Sequence, residues 1–520
     1  MKSLSISLTA TLLAACAPST PAPEPSTPAS SSVVARSPDT PPALDIITEA
    51  DLKRDIFVLA GDGMRGREAG TLDELRASMW IADRAREAGL QPAGDYDTYF
   101  QWWSMRRTKV SDASRVTIGP RPLTLWQDVI VLSPVNATID QPIVWVGTAT
   151  GGELAAMDLT GKIVAAVLLP PTTLTSQLSN SVTRYVNASI QQRTAALTPK
   201  GVSAIVFVSG DAAEFADGFV RTTFTRQRGS YAVDSVRTTV TTPPANGPPP
   251  QRPPVPSVWV RADMTDLLRA PDAHVALSLS AASFAYPSVN IVAKVPGTDP
   301  ARRREYVLFS GHQDHDGVRY TVDGDSIWNG ADDNASVSVA LLAIGRAVAS
   351  HPMSRTGLFV WHGAEERGLL GSYWYSRHPT VSKANIVAVL NADMIGRNSP
   401  DSAALLGVQP PHLNSNALVA AAYKANAMTG QFIVDTSWDN PRHPEGWYFR
   451  SDHLPYAREG VPAIMFSTLL HADYHTPRDN PDRIDISKLT RMTKWMYATG
   501  WIIGTARDRP DVVAGFKLER

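Results

Sequence analysis

Apolar positions along the chain follow two different periods. Leu72, Leu75, Met79 and Ala82 recur at offsets of three and four, the spacing that lines one face of a helix. Thr71, just ahead of that run, and Glu74 within its first turn fit a capping box, and Gly89 can close it, so the first folded element is predicted as a helix over 71–88. Between about 115 and 285 the texture changes to β-branched runs separated by turns. KIVAAVLL at 162–169 and VSAIVFV at 202–208 predict strands buried on both faces. From 286 onward strands and helices alternate. Short apolar strands are predicted at 306–309, 358–361, 386–390 and 463–466, and a helix at 337–348 carries Val339, Leu342 and Ala343 on one face. That alternation predicts an α/β domain whose mixed, mainly parallel sheet has helices on both faces. Ligands of such sheets sit beyond the C-terminal ends of the strands. The sequence contains no internal repeat.

The polar and proline-rich stretches divide the chain further. Lys2, an apolar run at 4–13 and the small residues Ala14 and Ala15 describe a secretory signal, too short for a membrane span. LAAC at 13–16 resembles the bacterial lipobox, which makes Cys16 the expected lipidation site and an anchor for the rest of the chain. Ala17 follows that cysteine, where an aspartate would suggest inner-membrane retention. The expected location is therefore the outer membrane, facing the periplasm. Residues 16–43, rich in Pro, Ser, Thr and Ala, read as an extended tether that cannot bury enough apolar surface to fold. A second proline cluster at 243–256 is expected to form an exposed loop.

Composition narrows the chemistry. Forty-nine Lys and Arg against 50 Asp and Glu leave a net charge of −1, which argues against a nucleic-acid partner. Cys16 is the sole cysteine, so neither an intramolecular disulfide nor a cysteine-based zinc site can form. Any metal must be held by His, Asp and Glu. Such residues follow the predicted strands. GHQDHDG (His312, Asp314, His315, Asp316) comes after the first, and GADDNAS (Asp332, Asp333) precedes the helix. HGAEERG (Glu365, Glu366), NADMIGR (Asp393) and HADYHTPRDN (His471, His475) accompany the other three strands. Each cluster alone reads as well as a solvated loop. Together, at one sheet edge, they suit metal-assisted hydrolysis, in which a carboxylate joins two divalent cations and another moves the proton.

These motifs, in this order across 305–480, resemble the co-catalytic dizinc exopeptidases, the family of bacterial leucyl-type aminopeptidases and glutamate carboxypeptidase. GREAGT at 66–71 and GLQPAGD at 89–95 look like the N-terminal part of that peptidase domain. GKIVAAVLL and the following apolar run resemble a protease-associated domain inserted into it. The resemblance divides the chain into a signal peptide (1–15), the tether (16–43), the first part of the peptidase domain (44–114), the β-rich insert (115–285) and the catalytic core (286–520).

The resemblance implies two zinc ions per chain, with other divalent metals able to substitute. Asp333 would bridge them, His312 and Asp393 would complete one site, and Glu366 and His475 the other. Glu365 would be the general base, then general acid, and Asp314 would fix the His312 imidazole through its other ring nitrogen. Asp332 would orient the loop, His315, Asp316 and His362 would be solvated or structural, and Asp452 and His453 would support the pocket. Peptides are the implied substrates, and release of N-terminal residues is the leading activity. Carboxypeptidase action, glutamine cyclisation and a catalytically inactive binding lipoprotein are the alternatives. Arg397, Arg442 and Arg450 are candidates for a carboxylate pocket. Trp328, Trp438, Trp447 and Tyr448 fit either a substrate pocket or the core.

Overall fold

Strand residues in the centre of the molecule sort by parity. Val307, Phe309, Phe359, Trp361, Ala388 and Leu390 enter one apolar core, while Leu308, Leu358, Val360 and Val389 enter another on the opposite face. Side chains of successive strand residues point to opposite faces, so a strand covered on both sides must be apolar throughout. The computed structural model describes residues 40–172, 182–224, 229–234 and 254–520. In it the four expected strands lie side by side and parallel, in the order Ala463–Ser467, Ile386–Ala392, Tyr306–His312, Thr356–His362.

The sheet as a whole is more evenly mixed than the expected mainly parallel one. It has ten strands, with four parallel and five antiparallel pairings. The antiparallel character comes largely from Phe100–Val110 and Ala281–Val295, a long ribbon that carries the chain away from this sheet and back. Helices Glu49–Leu59, Leu72–Glu87, Ser336–Ser350, Asn416–Met428 and Ile486–Thr505 contribute to one core. Leu370–Arg377 and His453–Arg458 supply Tyr375 and Tyr456 to the other.

Folded structure begins earlier than the helix at 71–88. Thr48 caps Glu49–Leu59 by accepting from the Asp51 N–H, and Leu52, Ile56 and Leu59 are buried at helical spacing. Ala43 and Ile47 are buried too, so the end of the expected tether is already packed. Thr71 caps Leu72–Glu87 as expected, and Gly89 takes the left-handed φ of +84° that follows its end. The expected apolar face is not the buried one: Leu72 and Met79 are exposed, and the helix packs through Ala77, Ser78, Ile81, Ala82 and Ala85. The capping box is only half formed. Glu74 turns inward and accepts from the Gly70 N–H (2.6 Å) and the Ser288 hydroxyl (2.8 Å).

A second, eight-stranded sheet draws all its strands from Arg115–Ile118 through His274–Leu279. Ile163–Val167 and Ala204–Val208 pair in parallel at its centre, each face covered by its own apolar cluster. Strand Gly229–Val233, from the same stretch of chain, instead pairs with Phe100–Val110 in the larger sheet. The expected signal, Cys16 and most of the tether fall outside the described residues, as does 243–253 of the second proline cluster. Among the described residues no helix is long and apolar enough to cross a membrane.

Candidate metal centre

The parallel strands end on one edge, and their following residues converge there. His312 closes Tyr306–His312, and Asp393 comes directly after Ile386–Ala392. Asp333 lies in the turn before Ser336–Ser350, and Glu365 and Glu366 in the turn after Thr356–His362. His475 reaches the edge from the loop after Ala463–Ser467. The two oxygens of Asp333 face different imidazoles: Oδ1 is 3.2 Å from His312 Nε2, and Oδ2 is 3.1 Å from His475 Nε2. Asp393 Oδ1 stands 3.7 Å from His312 Nε2, and Glu366 Oε1 stands 3.2 Å from His475 Nε2. Two donor groups result, His312–Asp333–Asp393 and His315–Asp333–Glu366–His475, each with its donor atoms within 4.8 Å of one another. Asp333 is common to both. Glu365 stays at the rim, its Oε2 3.8 Å from His312 Nε2.

The electrostatics are those of a site built around positive charge. Burial lowers the affinity of His312 for a proton, but Glu365, Asp333 and Asp393 more than reverse this and raise its pKa well above the ordinary value. His475 behaves alike, with Glu366 as the strongest opposing influence. Burial pushes Glu365 well above the usual carboxylate range, as do Asp393 and Glu366, against the pull of His312. Buried His312 Nε2 and Glu366 Oε1 have no hydrogen-bond partner among the described residues. Buried polar atoms rarely go unsatisfied, so orphaned donors that converge among carboxylates fit a divalent cation. Mixed imidazole and carboxylate ligands suit zinc.

Several neighbours differ from expectation. The Asp314 carboxylate does not hold His312: its Oδ1 is 3.8 Å from Nδ1, and the Asp314 backbone carbonyl takes that contact at 3.1 Å. The carboxylate instead accepts from the N–H groups of Glu365 (3.0 Å) and Glu366 (3.4 Å), which fixes the glutamate turn. Burial is the chief cause that raises its pKa to about 6. His315, Asp316 and His362 are buried, so a solvated role is excluded for all three. Asp316 lies 3.4 Å from His475 Nδ1, and His362 Nε2 meets the Tyr456 hydroxyl at 3.2 Å. Asp332 accepts from the Gly396 N–H at 2.6 Å and so ties the Asp333 turn to the loop after Asp393. Asp452 and His453 are fully buried. Burial raises Asp452 to about 7 and lowers His453 to about 3.

A cleft of about 930 Å³ opens beside Glu366 and His475. Of the three candidate arginines only Arg450 lines it, donating to the Tyr474 hydroxyl at 2.9 Å. Arg397 is bound by Asp473 (2.7 Å), and Arg442 is exposed elsewhere. Trp328, Trp447 and Tyr448 are core residues. Sequence reasoning missed two residues that assemble the centre. Buried Arg67 donates to the carbonyls of Leu59, Gln313, Asn329 and Gly330, joining the His312 motif to the Asp333 turn. Asp479 accepts from the N–H groups of Asp332 and Asp333. Both stand inside the quoted motifs GREAGT and YHTPRDN, which was the available signal.

Residues 290–500 match Peptidase family M28. Over 186 residues, 33% of the chain, it is 33% identical to leupeptin-inactivating enzyme 1 of Streptomyces exfoliatus, 34% of which is covered. Over 167 residues, 31% of the chain, it is 29% identical to aminopeptidase YwaD of Bacillus subtilis (strain 168), again 34% of that protein. The chain thus spans about a third of the length of these two curated relatives. A solved zinc aminopeptidase from Bacillus subtilis aligns with 91% of this chain and 99% of its own, at a TM-score of 0.55 and 17% identity. An aminopeptidase from Aneurinibacillus sp. strain AM-1 aligns with 90% and 98%, at a TM-score of 0.54 and 17% identity. The similarity to Peptidase family M28 thus covers residues 290–500, and the fold is shared with solved aminopeptidases.

Proposed function

We propose, from an M28-type fold that presents two donor groups joined by one carboxylate, that this protein is a zinc-dependent exopeptidase releasing N-terminal residues from peptides. The observation that carries the reading is Asp333, whose two oxygens face His312 and His475 separately. His312, Asp333 and Asp393 would hold one zinc, and Asp333, Glu366 and His475 the other. Bound there, the metals would polarise the scissile carbonyl and make water more acidic.

Glu365 is the group placed to handle protons. Burial, Asp393 and Glu366 raise its proton affinity, so it can take a proton from the attacking water and pass it to the departing amine. Asp314 holds Glu365 for that task through its backbone N–H. The cleft beside Glu366 and His475 would receive the peptide. The relatives named as aminopeptidases support release from the N-terminus. The second sheet supports a protease-associated-like insert, and LAAC at 13–16 supports lipid anchoring through Cys16 at the outer membrane, facing the periplasm.

A defined peptide, followed by mass spectrometry beside its N-acetylated twin, tests the activity. Stepwise loss from the free N-terminus, abolished by acetylation, is the expected result. Loss from the C-terminus of both would move the reading to a carboxypeptidase, and cleavage of neither would overturn it. Glu365→Gln should keep fold and zinc content while lowering turnover by orders of magnitude, because proton transfer alone is removed. Full turnover in that variant would remove Glu365 from the mechanism.

A further inference from the structure

His315 is fully buried, and neither of its ring nitrogens has a hydrogen-bond partner among the described residues. Its Nδ1 nevertheless lies 2.8 Å from Glu366 Oε1, an atom equally without a partner. Two complementary atoms this close would ordinarily form a hydrogen bond. Their failure to do so means that they are not aimed along each other's axis. His312 Nε2 shows the same signature, 3.2 Å from Asp333 Oδ1 with no hydrogen bond. In both places the atoms belong to a group whose donor atoms all lie within 4.8 Å of one another, as ligands of a shared cation do.

The fold reserves the space for this ring. The His315 N–H donates to the Arg67 carbonyl (3.3 Å), and His315 bridges to Glu68, so its backbone is tied to the segment before Leu72–Glu87. The ring lies over Gly330, where a Cβ would fall 2.3 Å from His315 Cγ. It also stands edge-on to His475, 5.3 Å between centroids at 89°. Two imidazoles therefore border Glu366 and one oxygen of Asp333, whereas among the described residues His312 is the one imidazole grouped with Asp393.

We propose that His315 is a sixth donor of the centre, and that it makes the two metal positions chemically unequal. The inference rests on the dimetal reading given above. The position of His315, Asp333, Glu366 and His475 has two nitrogens and two carboxylates, a complete tetrahedral set for zinc. The position of His312, Asp333 and Asp393 has one nitrogen and two carboxylates, one donor fewer. The first zinc ion consequently loads beside His315, and the second is the exchangeable one.

The metal-free full chain, given one equivalent of zinc, tests this by X-ray absorption. Two imidazoles per zinc are expected, and one would overturn the proposal. Competition with a chelator then gives the affinity for the first equivalent. His315→Gln should weaken it at least about tenfold. Circular dichroism establishes that the variant is folded, and the wild-type imidazole count decides the matter even if it is not. Unchanged affinity in folded His315→Gln would overturn His315 as a donor. A wild-type chain that takes up two zinc ions, the first with one imidazole, sinks this proposal alone. One that takes up none sinks the dimetal reading as well.

Discussion

Single side chains around the centre hold proton affinities set by burial and by neighbouring charge. Glu74 is 2% exposed, and burial first, then the charge of Asp314, raises its pKa from 4.5 to about 8. The folded chain therefore keeps a proton that the unfolded chain releases. Its contribution to stability is fully present below about pH 4.5 and declines as pH rises toward 8. Glu74→Gln removes that titration while leaving one acceptor for the Gly70 N–H and the Ser288 hydroxyl. The melting temperature of the variant, relative to wild type, should rise steadily between pH 4.5 and 8. Parallel pH profiles for the two proteins would show that Glu74 is not held protonated. The same residue illustrates how a capping motif misleads: the carboxyl that fits a capping box serves the inside of the molecule.

Among the elements, the terminal helix Ile486–Thr505 shows how one residue can lock a helix to the sheet. Buried Arg355 donates to the carbonyls of Ile503 (2.8 Å) and Ala506 (2.6 Å), and its Nε pairs with Glu305 at 2.6 Å. A cation there satisfies carbonyls left over at the helix end and complements its dipole. Arg355 immediately precedes strand Thr356–His362, so the contact couples the helix to the strand that leads to Glu365. Arg355→Ala should cost about 3 kcal/mol in urea unfolding, because it strips partners from buried groups. A loss below about 0.5 kcal/mol would mean that water replaces the guanidinium there. Along the same helix Gly500 allows close approach, since a Cβ would fall 2.1 Å from Phe309.

On the scale of the whole molecule, the cleft belongs to both sheets. Arg184, on helix Val182–Leu197 of the second, forms an ion pair with Glu445, which also binds Arg450 on the cleft wall. Tyr231, from the strand that crosses to the larger sheet, lines the same cleft. This arrangement predicts that Arg184 bears on how a peptide is held rather than on the reaction. Arg184→Ala should raise KM by at most about fivefold, the scale of a partly exposed ion pair, with kcat and zinc content unchanged. Arg450 remains to neutralise Glu445 in that variant. A fall in kcat with KM constant would place Arg184 in the chemistry instead.

The central strands, the helices at Leu72–Glu87 and Ser336–Ser350, and the placement of His312, Asp333, Glu366, Asp393 and His475 at one edge were legible in the sequence. Apolar period and the order of motifs along strands are local properties, and a parallel sheet converts that order into proximity. Helix Glu49–Leu59 carried a readable period too, through Leu52, Ile56 and Leu59, but lay next to a stretch dominated by proline. Other features had no local signature. The mixed character of the sheet depends on where its edge strands dock, and the inward turn of Glu74 on Ser288, 214 positions away. Whether His315 meets water or a metal depends on Arg67, Gly330 and Glu366 closing around it. A sequence names which groups follow a strand; the environment of each is set by segments hundreds of residues away, because burial and charge act through space and not along the chain.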